Sequence, residues 1–455
     1  MENMSNVIIG LEIHVQLKTK SKLFCDCPTD YLAVEPNANI CPTCTAQPGS
    51  KPYSLNKQAL NNLLRIAIAL NCKVVNESFV QRKHYFYPDL PSGYQRTSKP
   101  LGTEGRLGHI RIREVHIEED PGRYELRAGT VDYNRAGVPL IEIVTEPDMR
   151  SPEEARKFLD EISAILNYLD VGRDEPGSTR VDANVSLDGG TRVEIKNINS
   201  FKGVYTALMY EIVRQQNILR RGKQVEMETR HFDEATGTTL TMRKKETEAD
   251  YRYVPDPDVP PLKISAKLVD QAKKGMPELP RAKSQRLTQD YKIREEDAWI
   301  LVSEIEIANL FEKMAKEFDP QQVALWIRGP LKKQLNYRNL GLKEAVAKEQ
   351  WLSSLLSMFL KGEVTDKGME QILIAMIDKK KDPKALKKEL GLEKIEDMAE
   401  IEKVVDSVIA ANQKAIADYK AGEEKALNFI VGQVVRMTKG KVDSKLAKEL
   451  ILKKI

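Results

Sequence analysis

The chain has 455 residues, 41% of them hydrophobic and 30% charged, with a formal net charge of +4. No apolar run approaches the roughly 20 residues of a membrane-spanning helix, and so balanced a charge implies by itself neither a membrane nor a DNA partner. The length leaves room for about three domains, and "MENMSNVIIG" lacks a basic region followed by a long apolar core, so a cytoplasmic protein with reduced cysteines is expected.

The first predicted element is a strand, "IGLEIHVQL". Period-2 alternation puts Glu12, His14 and Gln16 on one face and Leu11, Ile13, Val15 and Leu17 on the other. A Glu and a His two residues apart on a strand face can hold one divalent ion. Next come Cys25 and Cys27, then Cys41 and Cys44. Two short-spaced pairs supply four thiolates, the tetrahedral set that structural Zn²⁺ prefers. A redox Cys-x-x-Cys pair is the rival, but it leaves Cys25 and Cys27 without a role. Such a closed site stabilises a fold rather than catalysing, so the chemistry must lie elsewhere. Cys72 ends an apolar helix-like run and reads as core.

Two acidic stretches follow. "VHIEED" supplies His116, Glu118, Glu119 and Asp120, and "VPLIEIVTEPD" supplies Glu142, Glu146 and Asp148. Glu142 stands among apolar neighbours and should be part-buried, so it needs a partner or a metal. Oxygen-rich donors favour Mg²⁺ or Mn²⁺. Ser151-Pro-Glu-Glu154 is a capping box that opens a helix whose apolar stripe runs from Ala155 to Leu169. Two alternating strands come next, Arg180 to Leu187 and Arg192 to Lys196, joined by an Asp188-Gly189 hairpin signal. The first carries Arg180, Asp182, Asn184 and Ser186 on one face; the second carries Arg192, Glu194 and Lys196. That polar face is either solvated surface or the floor of a cleft.

"VPDPDVPPL" (Val254 to Leu262) has four prolines in nine residues and reads as a domain boundary. Long Leu/Lys/Glu segments after it read as helical, with a joint around 380–397. Two helical stripes follow, one on Ile401, Val404, Val405 and Val408, the other on Leu427, Ile430, Val431 and Val434, with Gly440 as a stop. Lys379 to Leu390 holds six lysines against two acids, and Arg436 to Ile455 seven basic residues against two, so the C-terminal part can meet phosphates or simply expose solvated helix faces. No P-loop, kinase-type Gly loop or G-x-S-x-G elbow is found. The expectation is an α+β chain. A sheet-based cradle domain with a zinc-bound loop (1–262) precedes an all-helical domain (263–395) and a small helical tail domain (396–455).

Taken in order, "GLEIHVQL", "SKLFCDC", "YFYPDLPSGYQ", "HIEEDPGRY", "VDYNRAGVPLIEIVTEPD", "RVDANVS", "RVEIKNINSF", "ETRHFD", "DYRYVPDPDVPPL" and the tail "AIADYKAGEEKALNFIVGQVVRMTKGK" resemble the B-subunit family of aspartyl/glutamyl-tRNA amidotransferases. After "GYQ" the chain reaches "HIEED" quickly through "RTSKPLG", which is closer to the archaeal branch and weakens residue correspondence over 95–113. The resemblance implies a glutamine-dependent ligase of translation. ATP phosphorylates the side-chain carboxylate of Asp-tRNA(Asn) or Glu-tRNA(Gln), and ammonia displaces the phosphate to give Asn-tRNA or Gln-tRNA. It further implies that Glu12, His14, Glu119 and Glu142 hold a catalytic Mg²⁺, with Asp182 joining through a second metal or water. Spacing does not choose between Glu118 and Glu119; the family pattern favours Glu119. Lys83, Tyr85, Arg135 and Lys196 fall in segments that line the ATP or aminoacyl site. Ammonia would come from an amidase A subunit, with a small C subunit completing a heterotrimer, and the helical parts would hold tRNA. The alternatives are a non-enzymatic, zinc-containing tRNA-binding protein, and the related E subunit of the Glu-tRNA-specific enzyme, which carries an additional inserted domain.

Overall fold

The computed structural model describes residues 6–455 except Leu126, Asp174, Pro176, 245–250, 393–397, 439–441 and 443. These residues divide into two compact units, Met1–Ala282 and Lys283–Ile455.

The first unit is built on one large sheet. The unit's strands in chain order are β1 (Val7–Gln16), β2 (Lys73–Val74), β3 (Glu77–Ser78), β4 (Val80–His84), β5 (Tyr94–Ser98), β6 (Gly102–Leu107) and β7 (Ile110–Glu119). After the small hairpin β8 (Arg123–Glu125) and β9 (Thr130–Asp132) come β10 (Pro139–Thr145), β11 (Thr179–Leu187) and β12 (Val193–Ile198). The last are β13 (Glu228–Asp233), β14 (Thr238–Lys244), β15 (Val254–Pro255) and β16 (Leu262–Lys263), which pairs with β3 in a small sheet of its own. The order across the sheet is β14-β13-β12-β11-β1-β10-β7-β5-β4-β15, with β6 also on β7 and β2 on β6. Neighbours run antiparallel except β12 and β13, whose parallel pairing requires a crossover.

That crossover is helix α3 (Phe201–Arg220), which lies with α1 (Lys57–Ala69) and α2 (Pro152–Leu169) in the first unit. The core-facing residues of β1, Ile9, Leu11, Ile13 and Val15, pack with Leu63 and Ile66 of α1, Phe158 and Ile162 of α2, and Val204 and Leu208 of α3. Full burial of each such apolar side chain contributes about 1.5–3 kcal/mol. With the helices packed on that face, the alternate side chains of every central strand look the other way.

Local signals act largely as read. Asp188 and Gly189 both take positive φ, 53° and 71°, as a turn between antiparallel strands demands. Ser151 caps α2 by accepting from the Glu154 N–H, and Pro152 follows it. The return arm of the expected box differs, because the Glu154 carboxylate accepts from the Arg150 N–H. Cys72 is half-buried behind α1, where a Cβ on Gly105 would come within 2.3 Å of its sulfur, so only glycine lets β6 pass.

The Pro-rich stretch does not part the chain. Val254–Pro255 pairs with β4 as an edge strand, Leu262–Lys263 pairs with β3, and buried Asp256 accepts from both Arg82 and Arg96. Proline is tolerated there because an edge strand has one side without a ladder. The first unit runs on through helix α4 (Ala266–Lys274) to Ala282, so the 262/263 boundary falls inside it. The elements formed by the described residues of the second unit are all helices. Within it, Ile401, Val405, Val408, Leu427, Ile430, Val434 and Leu450 form the tail's own apolar cluster, which matches the two predicted stripes. Gly440, expected as a helix stop, lies outside the described residues.

Candidate functional site

The open sheet face carries two acidic sets, assembled by alternation and register. Across the strands Glu12 pairs with Asp182, His14 with Glu142, and Glu142 with His116. A nitrogen of His14 and carboxylate oxygens of Glu118 and Glu142 lie within 4.8 Å of one another, as do oxygens of Glu12, Asp182 and Glu194. Within the first set His14 Nε2 stands 3.8 Å from Glu142 Oε1.

Neighbouring strands hold Glu118, Glu12 and Asp182. Gln95 Nε2 donates to Glu118 (2.9 Å), and Asn184 Nδ2 donates to Glu12 (3.0 Å). Asp182 accepts from Lys196 Nζ (3.1 Å) and the Asn197 N–H (2.9 Å). A bulge makes the last pair possible. The β11–β12 register shifts between Val181 and Ala183, and Asn197 takes φ 62°, which turns both donors toward Asp182. Lys196 also reaches Glu194 at 3.3 Å.

The crowding shows in the proton affinities. Burial, and then the charge of Glu118, push the Glu142 carboxyl up to about 7. Burial pulls His116 down, but its bond to Glu114 and the charges of Glu142 and Glu118 outweigh this and raise it to about 9. Burial likewise opposes the charges of Lys83 and Lys196, yet Glu118 and Glu142 beside one, and Asp182 and Glu194 beside the other, hold both ammoniums above the usual range. A divalent cation answers such an excess of negative charge, and the donors, five carboxylates and one imidazole, suit a hard ion.

Most of the expected residues meet here. Glu12, His14, Glu142, Asp182 and Lys196 share the floor, and Lys83 borders it with Nζ 5.0 Å from the Tyr251 ring centroid. Tyr85 donates to Gln95 Oε1 at 3.4 Å. Glu119 and Arg135 stand apart. The pleat of β7 turns Glu119 away from Glu118 toward Arg96 (3.3 Å), whose guanidinium is also bound by Asp256, and Glu118 takes the place beside His14. Arg135 spends its fork on the carbonyls of Pro121 (2.9 Å) and Gly122 (2.6 Å), fixing a loop. Spacing left Glu118 and Glu119 open and the resemblance favoured Glu119, while Glu194 was not placed in a set; parity with His116 and Lys196 was the available signal.

The four cysteines converge as well, with all sulfurs within 4.8 Å of one another and Cys27 and Cys44 4.0 Å apart. Sulfurs at tetrahedral Zn–S distance sit about 3.8 Å from each other, so the cluster could hold that ion. Hydrogen bonding from Cys25 is the main influence lowering the Cys44 thiol to about 4, and the charge of Lys22 adds to it; burial pushes Cys27 up to about 12. Lys22 is 1% exposed and donates to Cys44 Sγ (3.4 Å) and the Tyr133 carbonyl (3.2 Å).

Residues 7–270 match the family described as the GatB/GatE catalytic domain, and residues 309–455 match a GatB domain. The B subunit of the aspartyl/glutamyl-tRNA(Asn/Gln) amidotransferase of Methanothermobacter thermautotrophicus is 52% identical over 447 residues, covering 98% of this chain and 99% of its own length. Proteins of the same name from Methanopyrus kandleri and Methanocaldococcus jannaschii are each 47% identical, covering 99% and 100% of this chain and 99% of their own lengths.

Proposed function

We propose a function from the premise that this chain belongs to the GatB/GatE family, as a relative of the B subunits of aspartyl/glutamyl-tRNA(Asn/Gln) amidotransferases. The chain carries the activation half of a transamidation. It phosphorylates the side-chain carboxylate of a mischarged Asp-tRNA(Asn) or Glu-tRNA(Gln) with ATP and presents the acyl phosphate to ammonia. The observation that supports this reading is the pair of acidic sets on one sheet face.

A carboxylate is a poor electrophile, and phosphorylation gives it a leaving group. Phosphoryl transfer depends on positioning and on neutralising charge, which a Mg²⁺ ion at these sets would supply. His14, Glu118 and Glu142 would hold one ion, and Glu12, Asp182 and Glu194 form a second set suited to the same kind of ion. Lys83 and Lys196 flank the sets and would orient phosphate oxygens. The three relatives above all carry the name of the B subunit, which favours that reading over the E alternative. The acidic sets have no role in a purely tRNA-binding protein.

Ammonia is the remaining reagent. A glutaminase A subunit, with a small C subunit, would supply it in a cytoplasmic heterotrimer. No helix among the described residues is long and apolar enough to cross a membrane. For the helical parts we propose tRNA contact. In the second unit Lys384, Lys387 and Lys388 line a cleft of about 560 Å³ with Ser353, Ser354 and Ser357, but Glu317 and Glu363 line it too and Lys387 is paired with Glu363 at 3.0 Å, which leaves Lys384 and Lys388 as its better candidates for phosphate contact. Among the neighbouring lysines, Lys379 and Lys381 share the single carboxylate of Glu389, so the cluster is less basic than its composition suggests.

The reading is tested by assembling the chain with A and C subunits and supplying mischarged tRNA, ATP, Mg²⁺ and glutamine. Amide-bearing aminoacyl-tRNA is expected, and its absence with both Asp- and Glu-tRNA would overturn the reading. In the same complex, removing residues 397–455 should weaken tRNA affinity on the order of tenfold at physiological salt while glutamine hydrolysis persists. Equal tRNA binding after truncation would remove the tail from the tRNA surface.

A further inference from the structure

Arg180 is a guanidinium that neither acidic set uses. It lies on the site face of β11, directly across from His14, in register with it and two residues before Asp182. Its Nη2 donates to Asp120 Oδ1 at 2.5 Å. Asp120 is itself immobilised. Its side chain is fully buried, its other oxygen accepts from Gln16 Nε2 and stands 3.6 Å from Arg135 Nε, and Tyr31 donates to Gln16 Oε1 at 2.8 Å. Among the described residues no partner engages Nη1 or Nε of Arg180, and its side chain keeps 18% of its surface open.

The arrangement is a clamped fork. One donor is tied back by a buried carboxylate, and the others keep a fixed direction beside the His14 set. We propose that Arg180 receives the side-chain carboxylate of the aminoacyl group and sets its oxygens against the acidic sets. This rests on the transamidation reading above. A guanidinium binds a carboxylate through paired, planar donors, which an ammonium cannot imitate. Because Asp120 already balances its charge, Arg180 offers directional donors more than net positive charge. That suits a single carboxylate better than a triphosphate, for which the compact ammonium of Lys83, over the Tyr251 ring, is the better match.

The test uses the complete complex with Arg180→Gln and Arg180→Lys. Asp120 keeps Gln16 and Arg135 in both variants, so the fold should hold, and the thermal midpoint checks it. The expected result is a fall of about 10- to 100-fold in kcat/KM for mischarged tRNA, with KM for ATP and affinity for uncharged tRNA unchanged, and little recovery in the Lys variant. A rise in KM for ATP instead would place a phosphate on Arg180 and overturn the proposal. So would an unchanged kcat/KM for mischarged tRNA, or equal weakening of uncharged tRNA. An unmutated complex that forms no amide product would defeat the transamidation reading itself, a separate outcome.

Discussion

Replacing His14 with Ala, or Glu118 with Gln, is expected to lower amide formation by on the order of 10³-fold while tRNA binding survives. The expectation follows from where these groups stand. The His14 nitrogen and the Glu118 and Glu142 oxygens lie within one ion's reach, and each comes from a different strand of the same sheet. In the proposed reaction, removing one ligand would loosen a bound ion and misplace the phosphoryl group, but it leaves the opposite, core-facing side of those strands intact. Glu119→Gln is the discriminating companion. Its carboxylate faces Arg96, so that change should cost about 1–3 kcal/mol of stability, seen as a lower thermal midpoint, with amide formation within about tenfold of normal. If Glu119→Gln abolished the reaction and Glu118→Gln did not, the assignment made from β7's alternation would be reversed.

The second large effect concerns the cysteines. Replacing Cys41 and Cys44 together with Ser is expected to remove about one zinc per chain and destabilise the first unit by several kcal/mol, approaching the ~10 kcal/mol of small zinc sites at the extreme. Metal analysis and a denaturant titration check both parts. Between β1 and α1 the chain runs from Leu17 to Asn56 with isolated bridges in place of a helix or named strand. So long a connection needs something other than local structure to fix it. Leu23 and Phe24 from this stretch enter the main core, and Tyr31 from it supports Gln16. Loosening the loop should therefore reach Asp120 and Arg180 through Gln16 and reduce activity, although no sulfur touches the reacting atoms. A double variant that kept its zinc, or lost it without losing stability, would contradict the structural role.

The residues differ in how much they disclose by themselves. Glu12 and His14 are legible because two residues on one strand face are neighbours whatever lies around them. The cysteines are legible because their spacing and chemistry are local. Glu118 and Glu119 are adjacent acids, and only the face that β7 turns toward β10 separates them; His116, two residues earlier, holds that information once the strand is known to continue past it. Glu194 needs three facts at once, the β1–β11 pairing, the β11–β12 pairing and a bulge, and the last two cannot be read from composition. The Pro-rich stretch looks like a boundary because proline lacks a donor. The ion pairs of Asp256 with Arg82 and Arg96, more than 150 residues away in the chain, tie it to the sheet. Arg180 is visible as a polar strand residue, but its partner Asp120 lies 60 positions away.

The proposed carboxylate activation by this chain, with ammonia supplied by another subunit, is the step on which everything else depends. The most direct measurement is phosphate release from ATP by the assembled complex with glutamine and ammonia withheld. ATP cleavage should require mischarged tRNA, be absent with uncharged tRNA, and be lost in the His14→Ala and Glu118→Gln complexes. ATP cleavage indifferent to the aminoacyl group, or preserved in both variants, would contradict that division of labour.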